Sequence, residues 1–129
     1  MKKLLLILIC LLIYSPSHSK WEKLEGTSEG GHSLFIDIDR IRVKGDNVFY
    51  WELHNFIEEI GFEKSQMVYI QGHCEEFKFK VLKGVGCLEP MGSGDCIDKQ
   101  LFYENSRQWE YPTPYSVREI TLNKVCKLR

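Results

Sequence analysis

The chain has 129 residues, of which 43% are hydrophobic and 27% are charged, and its formal net charge is −1 at pH 7. This length corresponds to one small domain, and the near-neutral, mixed-sign composition excludes the strongly basic surface that nucleic-acid-binding proteins usually carry. A domain of this size has a modest core, so covalent cross-links would add substantially to its stability.

The N-terminus has the three-part layout of a secretory signal. Two lysines precede an apolar run at residues 4–14, and small polar residues follow it. The run is shorter than the about 20 residues that a membrane-spanning helix needs. We therefore predict a signal peptide at residues 1–19, cleaved between Ser19 and Lys20, and a single domain at residues 20–129 without a transmembrane segment.

The signal does not resemble that of a lipoprotein. Cys10 lies inside the apolar run and follows Ile9, whereas a lipid-modified cysteine normally follows a small residue. Removal of Lys2 and Lys3 with the signal changes the formal charge from −1 to −3. We expect an exported protein, periplasmic or secreted, without a lipid anchor.

Extended segments dominate the first half of the mature chain. Residues 20–24 are predicted as a short strand, and residues 33–39 (SLFIDID) alternate as a half-buried strand does. Residues 40–53 are predicted as a hairpin with its turn at 44–47, where glycine and asparagine accept positive φ angles. Side chains on its return strand alternate between two faces, with Phe49, Trp51 and Leu53 on one and Val48 and Tyr50 on the other.

The second half continues in the same way. Residues 54–61 (HNFIEEIG) are compatible with either a helical turn or a wide loop. Residues 65–74 and 77–83 carry the β-branched and aromatic residues that strands favour, and the two glutamates between them indicate a turn. A sixth strand is predicted at residues 100–104.

The C-terminus carries the signals of a helix. Ser116 and Glu119 have the S-x-x-E spacing of a capping box. Tyr115 and Ile120 have the spacing of a hydrophobic staple. One helix over residues 116–129 is predicted, and it needs a sheet on which to bury its apolar face.

Four cysteines remain in the mature chain: Cys74, Cys87, Cys96 and Cys126. An even number in a short exported chain indicates two disulfides, for which three pairings exist. With Cys74 on a strand and Cys126 on the helix, a bond between them would tie the helix to the sheet. Zinc binding and redox catalysis are disfavoured because no C-x-x-C or paired-histidine spacing is present. We predict no metal and no cofactor.

The ordered set of motifs along the chain resembles the bacterial surface-adhesin protein E-like domain family. The set comprises Trp21, LFIDIDRI (34–41), VFYWEL (48–53), Ser65, Cys74, PMGSG (90–94), Trp109, the Pro114-Tyr115-Ser116 element and Cys126. Each motif is common by itself, whereas their order is not. The resemblance covers nearly the whole mature chain.

The resemblance implies an α+β fold, in which a curved antiparallel sheet of about six strands packs against one C-terminal helix. It also implies that the disulfide holding the helix joins Cys74 to Cys126, so that Cys87 and Cys96 would form an additional bridge. The family's better-known members are surface lipoproteins that bind host extracellular-matrix and plasma proteins, and dimers occur among them.

Two pairs of side chains have a spacing suited to acid–base chemistry. Asp37 and Asp39 would share one face of a strand, as would Glu52 and His54. The alternative is a solvated strand face neutralised by nearby basic residues, and we favour that interpretation. We therefore predict no catalytic residues, and we keep a small periplasmic hydrolase as the second hypothesis.

An aromatic and proline-rich stretch precedes the helix. Its aromatic residues are Tyr103, Trp109, Tyr111 and Tyr115. They could cover the seam between helix and sheet, or form a recognition surface centred on Tyr103, Trp109 and Tyr111. The favoured hypothesis is a non-catalytic, adhesin-like module that binds a matrix or envelope protein and self-associates as a homodimer through an open sheet edge.

Overall fold

The computed structural model describes residues 20–24, 32–99 and 107–129, which form an antiparallel sheet and a helix. The strands are β1 (Trp21–Lys23), β2 (Ser33–Asp37), β3 (Arg42–Lys44), β4 (Asn47–Ile60), β5 (Glu63–His73), β6 (Lys78–Cys87) and β7 (Cys96–Asp98), and the helix is α1 (Val117–Leu128). The strand order is β1-β2-β4-β5-β6-β7, and β3 pairs with β4 as well. The predicted fold class, an antiparallel sheet with one disulfide-linked C-terminal helix, is confirmed.

The centre of the sheet is the long hairpin of β4 and β5. Their register runs from Asn47 opposite His73 to Asn55 opposite Ser65, and it resumes after an irregularity at Ile60 opposite Glu63. The segment 54–60 therefore continues β4, and neither a helical turn nor a wide loop forms there. Pairing with β5 supplies the backbone hydrogen bonds that the segment's own weak strand pattern did not indicate.

β2 is shorter than the strand that the sequence predicts. The strand predicted at 33–39 ends at Asp37, because the chain turns through a short 3-10 helix at Ile38–Arg40 before β3. The strand predicted at 100–104 lies outside the described residues, and the strand that follows β6 is β7. The turns between β3 and β4 and between β5 and β6 lie where the sequence predicted them.

At the start of α1, the N-cap half of the predicted capping box forms, the return bond goes to Tyr115 and not to Ser116, and the staple does not form. The Ser116 hydroxyl accepts a hydrogen bond from the Glu119 N–H at 3.2 Å. The Glu119 carboxylate accepts in turn from the Tyr115 N–H at 3.3 Å. Tyr115 adopts a φ of 63°, and 91% of its surface is exposed, so the predicted contact with Ile120 is wrong.

The core lies between α1 and one face of the sheet. Its buried members are Leu24, Leu34, Ile36, Val48, Tyr50, Val68, Ile70, Phe79, Val81, Leu122 and Val125. The disulfide between Cys74 and Cys126, with a Cα–Cα distance of 5.6 Å, joins the chain just after β5 to the last turns of α1. No helix in the described part of the chain has the length and apolar content needed to span a bilayer.

Candidate functional site

The two faces of the sheet differ in what covers them. Because successive side chains of a strand point to opposite sides, β4 directs Val48, Tyr50 and Glu52 towards α1, and it directs Phe49 and Trp51 away from it. We call the first side the helix face and the second side the open face.

The helix face contains a buried polar cluster around Glu52. Its carboxylate accepts hydrogen bonds from Arg118 at 2.6 Å and from the Thr121 hydroxyl at 2.6 Å, and His54 Nε2 lies 3.0 Å away. The side chain of Glu52 is fully buried, whereas those of Arg118 and His54 are 21% and 24% exposed. The cluster joins the middle of the sheet to the first turns of α1.

The electrostatics of this cluster do not favour acid–base chemistry. Burial alone would raise the pKa of Glu52, but the charge of Arg118 and the bonds from His54 and Thr121 outweigh it, so the pKa is lowered. Burial, and after it the charge of Glu52, raise the pKa of Tyr50 well above its ordinary range. Glu52 therefore stays ionised and bonded to its neighbours in the cluster, and Tyr50 stays neutral.

The predicted Glu52–His54 pair thus exists, but Glu52 has no access to a substrate. Asp37 and Asp39 are not brought together on one strand face, because Asp37 ends β2 and Asp39 lies on the following 3-10 turn. Asp37 forms an ion pair with Arg40, as the alternative interpretation expected, but it is completely buried, so the expectation of a solvated strand face is wrong at this residue. The geometry of both pairs speaks against the hydrolase hypothesis.

The loop between Cys87 and Cys96 covers one end of the open face. The Ser65 hydroxyl donates to the Glu89 carbonyl at 2.6 Å and accepts from the Gly92 N–H at 2.9 Å. Gly92 has a φ of 69°, and a Cβ added there would lie 2.9 Å from the Met67 sulfur, so glycine is required by both conformation and space. The PMGSG motif therefore packs closely on this end of the open face, and we call it the PMGSG cover.

All four cysteines in the described residues are in disulfides. Cys74 is bonded to Cys126, and Cys87 is bonded to Cys96. The zinc alternative therefore has no thiolate ligands, and no cluster of three or more metal-binding side chains occurs among the residues that the structure describes. Two disulfides are typical of proteins that reach an oxidising compartment.

The remainder of the open face carries a row of aromatic side chains. Trp51 stacks on Tyr69 with 4.9 Å between ring centroids, and Phe49 lies 6.4 Å from the same tyrosine. Arg42, on β3, donates a hydrogen bond to the Tyr69 hydroxyl at 2.9 Å.

A depression of about 380 Å³ lies beside this row. It is lined by Asp39, Arg40, Arg42, Trp51 and Tyr69. We call it the Trp51 pocket.

Trp109, one of the predicted recognition residues, lies at the end of the open face opposite the PMGSG motif, beside the turn between β5 and β6. Glu110 pairs with Phe79 on β6 through two backbone hydrogen bonds of 2.8 and 2.9 Å. Trp109 lies beneath the ammonium groups of Lys78 and Lys80, at 4.9 and 4.6 Å from its ring centroid, and its ring meets the edge of His73 at 6.3 Å.

These three neighbours of Trp109 alternate with the residues of β5 and β6 that face α1, so Trp109 does not cover the helix–sheet seam. Tyr111 and Tyr115 are 73% and 91% exposed and do not cover it either. The seam interpretation is therefore wrong for all three residues. Tyr103 lies outside the described residues.

Sequence reasoning missed Arg118, Thr121 and Arg42 as partners. Thr121 lies on an apolar row of the predicted helix, and a hydroxyl in such a row is a signal for a buried polar partner. Neither arginine has a comparable signal, because Arg118 meets Glu52 across 66 residues of sequence.

The fold and its surfaces define a small, disulfide-linked antiparallel sheet with one helix-covered face and one largely open face. The family model for surface-adhesin protein E matches residues 21–127. The chain therefore belongs to the surface-adhesin protein E family.

Solved structures of Haemophilus influenzae protein E have the same fold. One matches with a TM-score of 0.63 at 15% identity, covering 85% of this chain and 86% of that chain. The selenomethionine form matches with a TM-score of 0.64 at 14% identity, covering 85% and 88%. The protein from a non-typeable strain matches with a TM-score of 0.56 at 12% identity, covering 88% and 76%. A comparison with curated proteins finds no match.

Proposed function

We propose that the chain is an exported, non-catalytic, adhesin-like module that binds a protein of the host extracellular matrix or of the bacterial envelope. Membership of an adhesin family supports a binding role. The observation that carries the proposal is the aromatic stretch before α1, at residues 109–115, which we call the aromatic segment.

The aromatic segment carries exposed side chains on a backbone with restricted conformational freedom. Its backbone is fixed to β6 at Glu110, and Pro112 and Pro114 limit its conformations. Trp109 and Tyr111 are 37% and 73% exposed. Exposed tyrosine and tryptophan on a restrained backbone bind with little loss of conformational entropy, which is a property of protein-binding surfaces.

Alanine variants of these aromatic residues test the role of the segment. The wild type and the W109A/Y111A variant are immobilised and exposed to matrix glycoproteins and to envelope extracts. We expect saturable binding of a protein by the wild type and about tenfold weaker binding by the variant. The matched control is F62A, which removes an aromatic ring that is 86% exposed on the turn between β4 and β5. Absence of any saturable partner, or equal binding by all three proteins, contradicts the proposal.

Export and processing are part of the same proposal. A signal peptide at residues 1–19 would leave a chain starting at Lys20, in the periplasm or secreted, without lipid. The intact mass of the protein recovered from the envelope and from the medium, measured without reduction, reports the N-terminus, any lipid and the oxidation state of the four cysteines. A mass that retains residues 1–19, or one that includes acyl chains, contradicts this part of the proposal.

Self-association through a sheet edge completes the proposal. β1 and β7 lie at the two ends of the strand order, and β7 is fully exposed, with Ile97 at 64%. Strands at the ends of a sheet support strand pairing between copies. Lysine side chains on an edge strand oppose such pairing, so we expect I97K to convert a dimer to a monomer in sedimentation experiments. A wild type that is monomeric at every concentration contradicts the dimer.

A further inference from the structure

The Trp51 pocket is lined by side chains that belong neither to the core nor to the aromatic segment. Its lining combines two stacked aromatic rings with two guanidinium groups and one carboxylate. Surface depressions that bind small molecules combine an apolar wall with a few polar groups in the same way. The polar groups of this pocket therefore indicate the chemistry of its ligand.

Two of these polar groups retain hydrogen-bonding capacity. Within the described residues, Arg42 donates one side-chain hydrogen bond, to Tyr69, and a guanidinium group has five N–H donors. Asp39 is exposed on the turn between β2 and β3, and no side-chain hydrogen bond to it occurs within the same residues. The pocket thus offers both donors and acceptors to a ligand.

The charges around the pocket are balanced. Arg40 is paired with the buried Asp37, and the positive charge of Arg42 is accompanied by the negative charge of Asp39. An anionic ligand would be attracted by Arg42 and repelled by Asp39, and a cationic ligand would meet the opposite pair of forces. Charge complementarity therefore favours an uncharged ligand that both donates and accepts hydrogen bonds.

We propose that the Trp51 pocket binds a neutral sugar ring of a glycan. A pyranose presents hydroxyl groups around its rim, each of which both donates and accepts, and C–H groups on its faces. The hydroxyl groups match the guanidinium of Arg42 and the carboxylate of Asp39. The C–H face matches the rings of Trp51 and Tyr69, which bury apolar surface on contact.

This inference goes beyond the proposed protein-binding role and uses a different set of side chains. The aromatic segment contacts His73, Lys78 and Lys80, none of which lines the Trp51 pocket. Variants of the two surfaces therefore separate the two proposals, and either can fail while the other stands.

The test is a titration of the isotopically labelled mature domain with neutral oligosaccharides, namely lactose, chitotriose and mannotriose, followed by NMR. The indole N–H signals of Trp21, Trp51 and Trp109 are assigned with single Trp→Phe variants. We expect at least one neutral sugar to shift the Trp51 signal and to leave the other two unchanged. Binding of an uncharged ligand is expected to be insensitive to salt.

Two substitutions and one control identify the pocket. D39A and R42M each remove one polar group, and we expect each to weaken binding of the same sugar about tenfold. W109A is the matched control and should bind as the wild type does. Thermal unfolding of each variant establishes that it is folded. Both altered side chains are exposed, so either variant can test the pocket by itself if the other does not fold.

Three outcomes overturn the proposal. The first is the absence of any shift of the Trp51 signal with every neutral sugar in the panel. The second is binding that D39A and R42M leave unchanged. The third is binding of 3′-sialyllactose that salt abolishes while lactose does not bind, because that result would mean that the pocket recognises charge and not a neutral ring.

Discussion

Glu52 is a charged residue with no exposure, and Arg118 is the cation that accompanies it. Removing one partner of a buried ion pair leaves the other charge uncompensated, which costs about 3–5 kcal/mol. Because Arg118 is partly exposed, we expect R118M to lower the free energy of unfolding by about 3 kcal/mol, at the lower end of that range. Urea unfolding with both disulfides intact measures the change.

The matched control for R118M is R129M. Arg129 ends the same helix and lies 3.8 Å from Asp46, but its pair is at the surface and should contribute less than about 1 kcal/mol. Equal losses of unfolding free energy in the two variants would show that Arg118 does not stabilise the buried charge of Glu52.

The lowered pKa of Glu52 also predicts a dependence of stability on pH. The unfolded chain protonates this carboxyl near its ordinary value of 4.5, whereas the folded chain does so at a lower pH. The stabilisation is therefore complete above pH 4.5 and is lost as the pH falls through the folded-state pKa. We expect the urea midpoint of E52Q to fall less between pH 6 and pH 3 than that of the wild type. Parallel pH profiles for the two proteins would refute this assignment.

At the scale of elements, the PMGSG cover depends on the absence of a side chain at Gly92. G92A would place a methyl group 2.9 Å from the Met67 sulfur and 3.5 Å from Leu53 Cδ1, at a φ of 69°. We expect a loss of about 1–2 kcal/mol from the backbone conformation and at least about 1 kcal/mol more from overpacking. G45A is the control, because Gly45 has a φ of 60° and nothing lies within 4 Å of its added Cβ. Equal urea midpoints for the two variants would mean that the PMGSG cover accommodates the added methyl group without further loss of stability.

Elements specified by adjacent residues could be predicted from the sequence, whereas those specified by distant partners could not. α1 was predicted because Ser116 and Glu119 cap it locally. The continuation of β4 beyond His54 was not predicted, because it depends on pairing with β5. The seam interpretation of Trp109 failed for a similar reason, since the side that this residue occupies is set by the pairing of Glu110 with Phe79.

At the scale of the whole molecule, the two disulfides act on opposite faces of one sheet. The bond between Cys74 and Cys126 secures α1 on the helix face, and the bond between Cys87 and Cys96 closes the cover on the open face. Within the described residues, the row beside Trp51 and the aromatic segment remain accessible with both disulfides in place. Both candidate binding surfaces are therefore held on a sheet that is cross-linked from both sides.

This arrangement predicts separate consequences for the loss of each disulfide. In the chain-entropy description, a bond across 52 residues contributes about 4 kcal/mol and one across 9 residues about 3 kcal/mol. The shorter loop is nested within the longer one and shortens it by a small fraction, so the two losses should nearly add. Because domains are stabilised by about 5–15 kcal/mol in total, removal of both should leave the domain at or near the limit of folding.

Paired alanine variants measure these consequences separately. Hydrogen exchange of C74A/C126A should show faster exchange throughout α1 while the hairpin of β4 and β5 remains protected, because that variant releases the helix and leaves the sheet's backbone pairing in place. The same measurement on C87A/C96A should show faster exchange at Gly92, whose N–H bonds to Ser65, and unchanged exchange in α1. If both variants lost protection uniformly, sheet, helix and cover would unfold as one unit, and neither disulfide could be assigned to one face.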